Sequence, residues 1–550
     1  MAYVITQRCC NDASCVAECP VDCIRPRPED PEFASAEMLY IDPETCIDCG
    51  ACFEACPVGA IYAEDELSPK LERFTEVNAA YFQRHPLESD LVAPAKMPRL
   101  PAGDGPLRVA IVGSGPSACY AAEQLLSLGA VEVEMFDRLP TPWGLVRYGV
   151  APDHAETRSV TDMFAAAFKR DAIAWHLNVE IGVHLSHAEL MSAHHAVIYA
   201  VGASADRRLV VAGEDLPGSH AATDFVAWYN GHPDHAAREF DLSGERAVVI
   251  GNGNVALDIA RVLTMDPEVL AGTDIADHAL AALRHSGIRE VVVLGRRGPA
   301  QAAYTSAELM ALAHLDGVDV VVDPTELDGH DGADLAHATA LKMALAAEYA
   351  AKPVSADNKR IVLRYCASPT EIVGDGRVEA LRFTRNELVT GADGSVVARA
   401  TDETGELPAS LVIRSVGYKG RPVPDLPFDE HRGVVPNAAG RVLDGETALP
   451  GVYATGWIKR GPRGVIGSNR VDSQETVNAL VADFLAGALP APERDREALT
   501  ALIRERQPDV VDRAGWQVLD TAERAAGAAA GRPRVKLTSV EALLATARRG

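Results

Sequence analysis

The stretch Leu107–Arg138, "LRVAIVGSGPSACYAAEQLLSLGAVEVEMFDR", reads as strand, tight turn, helix and strand. Gly113 and Gly115 stand at the turn, and Ala118 fills the third small position. The first glycine permits the turn, the second lets the backbone approach a pyrophosphate, and the third small residue packs helix on strand. The pyrophosphate then rests on the positive N-terminus of the helix. The second strand closes on Asp137, where an acid hydrogen-bonds ribose hydroxyls. Strand, helix and acid together point to a dinucleotide site in an α/β unit.

The pattern recurs in "ERAVVIGNGNVALDIARVLT" (Glu245–Thr264), with Gly251, Gly253 and Ala256. The strand that follows, "REVVVLGRRGP" (Arg289–Pro299), ends differently, on Gly295-Arg296-Arg297. Two guanidinium groups there suit a 2′-phosphate and leave no acceptor for a free ribose. An acid at one site and arginines at the other imply FAD at the first and NADP(H) at the second. Two apolar strands closing on glycine, "AVIYAVGAS" (Ala196–Ser204) and "GVYATGW" (Gly451–Trp457), are expected beside the flavin. A long amphipathic helix from about Gly467 would aim its N-terminal amides at the flavin pyrimidine ring.

The first sixty residues carry a different signal. "CIDCGACFEACPVGAI" (Cys46–Ile61) holds C-x2-C-x2-C-x3-C followed by Pro57, an iron–sulfur spacing. Displaced by 37 residues, the chain overlays itself: Cys9, Cys15 and Cys19-Pro20 fall on Cys46, Cys52 and Cys56-Pro57. In such duplicated motifs the fourth cysteine of each run serves the other cluster. One cluster is therefore expected on Cys46, Cys49, Cys52 and Cys19, and the other on Cys9, Cys15 and Cys56. The second set is one thiol short, because Asp12 stands where the repeat has Cys49. Three thiolates suit a 3Fe-4S cluster beside the complete 4Fe-4S cluster. A second 4Fe-4S cluster would need Asp12, Cys10 or another group, and Cys23 is left over. Zinc would want compact pairs of thiolates rather than two interleaved runs.

Composition sets the bounds. A chain of 550 residues holds several cores. Net charge of −26 disfavours nucleic acid and anionic membranes as partners. No apolar run is long enough for membrane insertion, and "MAYVITQRCC" lacks a signal-peptide core, so a cytoplasmic protein is expected. Nine of the eleven cysteines lie in the first 56 residues at cluster spacing, which argues against a disulfide framework. Cys119 and Cys366 read as buried packing residues.

From about Leu107 to Leu485 the chain closely resembles the adrenodoxin-reductase type of ferredoxin–NADP reductase. The carrying stretches are "GSGPSACYAAEQLL", "LPTPWGLVRYGVAPDH", "VVIGNGNVALDIARVL", "GRRGPAQAAYTSAEL" and "GWIKRGPRGVIGSNRVDSQET". The N-terminal segment resembles the seven-iron ferredoxins of actinobacteria, although the spacing between its first two ligands is shorter and carries the pair Cys9-Cys10. The resemblance implies a flavoprotein of two Rossmann-like domains, one nested in the other, behind a small α+β bacterial ferredoxin domain. It places FAD contacts at Ser117, Asp137, Leu145, Ile181, Trp457, Gly464, Val465 and Ile466. It places NADP contacts at Asn252, Gly253, Asn254, Val255, Arg296, Arg297, Glu308 and Gly464. Asp137 stands where the family has Glu, and Ser117 where it has Ala.

The expected domains are a ferredoxin over 1–65, a linker over 66–106, a flavin domain over 107–208 and 415–490, an NADP domain over 209–414, and a helical extension over 491–550. The linker reads as a short helix and an extended, Pro-rich lead-in. The extension reads as two amphipathic surface helices, in 494–511 and 535–550. The implied activity is electron transfer between NADPH, FAD and the clusters, with an external ferredoxin or cytochrome P450 system as partner. No nucleophile or base is required, and no hydrolase constellation is found. His154, in "GVAPDH", is a candidate for tuning or protonating the flavin, and equally for a structural role in its loop. An electron-input subunit resembling the small subunit of glutamate synthase shares the cofactor motifs, but "GVAPDH" and "GWIKRGPRGVI" favour the reductase. A redox-sensing module without activity would have a broken fingerprint, and both fingerprints are intact.

Overall fold

The structure, a computed structural model, describes residues 2–87, 100, 105–169, 171–327, 335–391 and 395–549. Most of the expected Pro-rich lead-in lies outside these residues. The chain forms two large sheets, a smaller antiparallel one, and a compact N-terminal segment.

Leu107–Val112 is buried on both faces, as suits a parallel strand covered by helices. It lies between Val131–Asp137 and Ala196–Tyr199 in a seven-stranded sheet. Ile173–Leu177 extends the sheet on one side. On the other side Thr447–Ala454 joins in parallel, followed by antiparallel Arg441–Asp444 and Asn437–Ala438. Residues more than two hundred positions apart thus share one sheet. The second large sheet is wholly parallel, in the order Ser219–Ala221, Leu411–Arg414, Arg246–Ile250, Glu290–Leu294, Lys359–Arg364, Val318–Val322. The chain leaves the first sheet at Ala205–Asp206 and returns at Tyr418–Lys419, and these two passages pair antiparallel. Three antiparallel strands, Ala367–Val373, Ala380–Thr390 and Val396–Pro408, stand beside the second sheet and were not anticipated from sequence.

The N-terminal duplication is visible in the backbone. Helix Ser14–Glu18 matches helix Ala51–Ala55 at the 37-residue displacement. Asn11, Ala13 and Asp22 have left-handed φ of 54°, 59° and 52°, and their counterparts Asp48, Gly50 and Gly59 have 57°, 75° and 57°. Tyr3–Ile5 pairs with Ile61–Ala63, and Ile24–Arg25 with Tyr40–Ile41, so each half completes the other. Helix Arg73–Arg84 then packs back on both halves. Its buried Asn78 accepts from the amides of Ile5 (3.3 Å) and Ile41 (2.9 Å) and donates to the carbonyl of Ile5 (2.8 Å). Tyr81 stacks on Tyr40 with centroids 4.2 Å apart.

The reading of the C-terminal extension as two surface helices needs correction. There are three, Arg496–Arg506, Arg513–Ala529 and Val540–Ala547. Trp516, Leu519 and Leu543 are buried in the same apolar cluster as the helix Pro116–Ser127. The extension also carries charge inward: Glu523 pairs with Arg147 at 2.6 Å and with Arg534 at 2.9 Å. Nearby, Arg158 binds Asp274, the carbonyl of Val150 and Asn230 Oδ1. The ammonium of Lys536 reaches Asp274 at 3.0 Å. Among the described residues, no helix is long and apolar enough to cross a membrane.

Two outcomes are expected. Asn78→Ala strands two buried amides and lowers the stability of the N-terminal segment by about 1–3 kcal/mol, read as an earlier thermal loss of cluster absorbance; an unchanged midpoint would contradict this. Burial pushes the Asp274 carboxyl up, but Lys536 and Arg158 outweigh it and hold it at about 2 instead of 3.8. Its contribution to stability is therefore complete above pH ~4 and is lost as the pH falls through ~2. Acid titrations of wild type and Asp274→Asn, followed by tryptophan fluorescence, should differ at neutral pH and converge towards pH ~2.

Candidate functional site

Gly113 has φ +109°, and a Cβ there would lie 2.4 Å from the carbonyl oxygen of Ala200. The turn can thus be made only by glycine. Gly115 is different: a Cβ there would meet nothing nearer than the Cα of Gly144, at 4.0 Å. Gly144, with φ +49°, faces it from the loop of Leu139–His154. Two glycines leave a slot beside the N-terminus of helix Pro116–Ser127, and this bare backbone fits a pyrophosphate. Asp137 closes the slot at the strand end. Its Oδ2 accepts from the amide (3.0 Å) and hydroxyl of Ser114, and its Oδ1 from the amide of Leu139 (2.9 Å). Burial raises the Asp137 pKa against these bonds. The acid therefore fastens the turn to the strand, and a ribose contact would add to that task.

Ser117 Oγ donates to Asn469 Oδ1 at 2.7 Å, which joins the first fingerprint to helix Ser468–Leu485. A Cβ on Gly456 would lie 2.0 Å from Ser117 Oγ, so the loop carrying Trp457 is laid directly over it. Trp457 donates its Nε1 proton to the carbonyl of Arg463 (3.1 Å). Gly464 has φ +80°, and Val465 accepts from Ser468 Oγ at 2.8 Å. Ile466 packs at the margin of the first sheet's core, and Leu145 is 44% exposed beside the slot. Ile181 lies past the end of strand Ile173–Leu177, against a cluster containing Phe136, Tyr199 and Ile458.

The second fingerprint repeats the geometry. Gly251 has φ +118°, and a Cβ there would lie 2.1 Å from the carbonyl oxygen of Ser415. Gly253 opens on space, with Ala303 Cβ at 4.0 Å. Asn252 accepts from the amides of Ala303 (3.1 Å) and Tyr304 (2.9 Å), and Asn254 Oδ1 from the amide of Thr305 (2.7 Å). These bonds fold the segment after the arginines over the turn. Val255 is half-buried behind it. Arg296 is exposed and Arg297 half-exposed, and among the described residues neither forms an ion pair. Their neighbours Arg364 and Arg385 share the one carboxylate of buried Glu326, at 3.0 and 2.5 Å. Two uncompensated cations on so acidic a chain fit a bound phosphate. The cleft lined by Arg246, Arg289 and Arg360 lies at the opposite, N-terminal end of these strands, away from Gly251 and Gly253.

Glu308 and His154 meet at a group that sequence reasoning missed. Arg261, 2% exposed, donates to Glu308 (2.6 Å), Asp153 (3.0 Å) and Asp258 (2.7 Å) and lies 2.9 Å from His154 Nε2. His154, Asp258 and Glu308 have ligand atoms within 4.8 Å of one another, but the guanidinium already supplies the cation between them. Burial pushes the Asp258 carboxyl up, and Arg261 opposes it. The signal was present in "VALDIARVL": Asp258 and Arg261 stand three apart inside an otherwise apolar helix.

The thiols fall in two groups. Cys19, from the first run, lines one pocket with Cys46, Cys49 and Cys52 from the second. Cys23 shares it, with its sulfur 3.4 Å from that of Cys19. Cys9, Cys15 and Cys56 form the other group. Burial pushes Cys9 up to about 12, and Cys56 and Asp12 add to the effect. The sulfurs of Cys9 and Cys56 accept from the amides of Leu39 (3.4 Å) and Ala60 (3.2 Å). One buried thiol and two half-buried ones with amides aimed at sulfur fit a bound cluster, whose metal would hold them as thiolates. Asp12 turns its carboxylate to Ser14, accepting from its amide (3.1 Å) and hydroxyl (2.6 Å). Cys10 is buried towards the core of the first sheet. Cys119 is fully buried, as expected, whereas Cys366 is half-buried at a left-handed residue.

A 4Fe-4S binding domain family matches residues 39–62. A probable ferredoxin/ferredoxin–NADP reductase of Mycobacterium tuberculosis is 50% identical over all of this chain and 95% of its own length. The NADPH:adrenodoxin oxidoreductase of Arabidopsis thaliana is 38% identical over 81% of this chain and 96% of its own. Among solved structures, Mycobacterium tuberculosis FprA in complex with NADPH superposes with a TM-score of 0.78 at 49% identity, covering 80% of this chain and 100% of that one. The two glycine turns, the paired arginines and the doubled thiol runs thus belong together, and the chain is a member of the ferredoxin–NADP reductases of the adrenodoxin-reductase type that carry an N-terminal ferredoxin segment.

Proposed function

We propose that the chain is an FAD-dependent ferredoxin–NADP reductase that passes electrons between NADPH and iron–sulfur clusters of its own ferredoxin segment. The observation that carries this reading is the pair of glycine slots, one closed by Asp137 and one by Arg296 and Arg297, behind a doubled cysteine motif. Bound FAD converts a two-electron hydride into single electrons, which is what clusters accept.

The residues have distinct tasks. Gly113, Gly115 and Gly144 admit the flavin pyrophosphate, and Asp137 holds its ribose. Ser117, Leu145, Ile181, Trp457 and Gly464–Ile466 enclose the flavin. Asn252–Val255 receive the NADP pyrophosphate, and Arg296 and Arg297 its 2′-phosphate. Arg261 positions Glu308 and His154. Because a guanidinium only donates, His154 Nε2 accepts from it, which puts the ring proton on Nδ1. Residues 107–208 and 415–490 form the flavin domain and 209–414 the NADP domain. Residues 1–65 form the ferredoxin, with 66–106 as linker and 491–550 as the helical extension. Cys19, Cys46, Cys49 and Cys52 hold a 4Fe-4S cluster. Cys9, Cys15 and Cys56 hold a 3Fe-4S cluster, a reading supported by the engagement of Asp12 with Ser14 and Arg470. The external partner is a ferredoxin, with a cytochrome P450 system as the second candidate.

Replacing Arg296 and Arg297 together by Ala removes two charge-assisted contacts, about 3 kcal/mol, and should raise the KM for NADPH ~100-fold. The KM for NADH should barely move, and equal effects on both nucleotides would sink the assignment. Asp12→Cys supplies the missing ligand and should abolish the EPR signal of the oxidised three-iron cluster. Its persistence in that variant would count against a vacant fourth position beside residue 12.

A further inference from the structure

The two thiol groups differ in what stands behind them. The loop Cys9–Asp12 presses on the end of the strip Gly464–Gly467. A Cβ on Gly467 would lie 2.2 Å from the carbonyl oxygen of Cys10 and 2.3 Å from the amide nitrogen of Asp12. Three residues further on, Arg470 pairs with Asp12 at 3.1 Å and donates to Ser14 Oγ. The carbonyl of Pro57, next to Cys56, accepts from Ser159 Oγ at 3.1 Å. Cys10, Val58 and Ala60 are buried in the same apolar cluster as Ala118 and Tyr120 of the first fingerprint helix, with Cys9, Cys56 and Ile466 at its edge.

The other group is lined by residues of the ferredoxin segment alone. Cys49 is exposed, and Ile47 and Phe53 beside it are 59% and 47% exposed. Around them Glu44, Asp48, Glu54, Glu64, Asp65 and Glu66 are all exposed, and no Lys or Arg occurs between residues 43 and 67.

The geometry points to a fixed order of carriers: flavin, then the Cys9/Cys15/Cys56 cluster, then the Cys19/Cys46/Cys49/Cys52 cluster. The last hands electrons out through the Ile47–Cys49–Phe53 face to an acceptor protein with a basic docking surface. This rests on the flavin and cluster assignments proposed above. The hydride of NADPH brings two electrons; the flavin releases one proton to solvent and the electrons singly. Each cluster is reduced by one electron and reoxidised by the next carrier, and the acceptor protein is the terminal one-electron oxidant. Tunnelling falls exponentially with the gap, so the group seated on the flavin strip takes the electron first. An apolar centre in an acidic rim steers and orients a cationic partner.

The test mixes the full holoprotein with NADPH without oxygen and follows flavin absorbance and freeze-quench EPR together, with the cationic protein cytochrome c as acceptor. The three-iron signal should change directly after the flavin bleaches and never after the other cluster. Arg470→Glu should slow cluster reduction relative to flavin reduction by about tenfold, equivalent to ~1.4 kcal/mol. Cys49→Ser should leave the three-iron cluster reducible but lose cytochrome c reduction. Should that variant fold poorly, Asp48→Lys with Glu54→Lys should raise the KM for cytochrome c without lowering kcat. The order is overturned if the four-iron cluster is reduced first, or if the three-iron cluster stays oxidised while the flavin bleaches. The exit face is overturned if cytochrome c reduction is indifferent to both sets of variants. Failure of NADPH to bleach the flavin would instead strike the proposed function itself.

Discussion

Arg158 ties two parts of the molecule with one guanidinium, and the C-terminal extension joins them through Lys536. It takes Val150 from the first sheet's loop, Asn230 and Asp274 from the second unit, and lies in the same network as Lys536 of the C-terminal extension. Beside it Arg147, 5% exposed, is met by Glu523 from the extension. Burying this many charges is costly, and the arrangement is tolerable only when each has its partner. A shift of one unit against the other would strand several at once. The network therefore does little for stability compared with an apolar seam, but it defines where the second glycine slot stands relative to the first. Everything that requires two nucleotides to meet face to face inherits that geometry.

The two slots use one device to different ends. In each, a first glycine touches the next strand's carbonyl so closely that no side chain fits, and a second opens on empty space. The difference lies one strand further on. Asp137 is half-buried and already fastened to Ser114, so that strand end presents a carboxylate and no cation. Among the described residues Arg296 and Arg297 form no ion pair, while Arg364 and Arg385 share the one carboxylate of Glu326, so net positive charge remains at that strand end. Across a chain of net charge −26, that local exception carries more information than the overall sign.

The features legible in the sequence were those set by local chemistry. The glycine turns, the acid and the arginines are fixed by backbone sterics and ligand charge. The ferredoxin repeat could be read to the residue, because left-handed turns and short helices recur at the same displacement. What escaped was long-range. Asn78 reads as a polar residue on a linker helix, and only the fold shows it bonding strands from both halves. Asp258 and Arg261 stand together in an apolar helix, but only the fold shows Arg261 gathering Asp153, His154 and Glu308 from distant segments. Helix Arg513–Ala529 carries many alanines and charges, and only the fold shows Trp516 and Leu519 packing into the first sheet's core while Glu523 meets Arg147. The antiparallel strands over 367–408 alternate weakly, since most of the last strand's residues face solvent on both sides.

The ferredoxin segment has two feet. One stands on the flavin side, through Gly467, Arg470 and Ser159. The other stands on the nucleotide side: Glu37 accepts from the amide of Ser306 at 2.6 Å and pairs with Lys342 at 2.5 Å, and Arg73 of the linker helix meets Glu348 at 2.6 Å beside it. Ser306 begins the short helix that carries Glu308. The segment is consequently a mechanical brace as well as a carrier. Any opening of one unit against the other must stretch it or lift one foot, so the segment resists that motion alongside the Arg158 network.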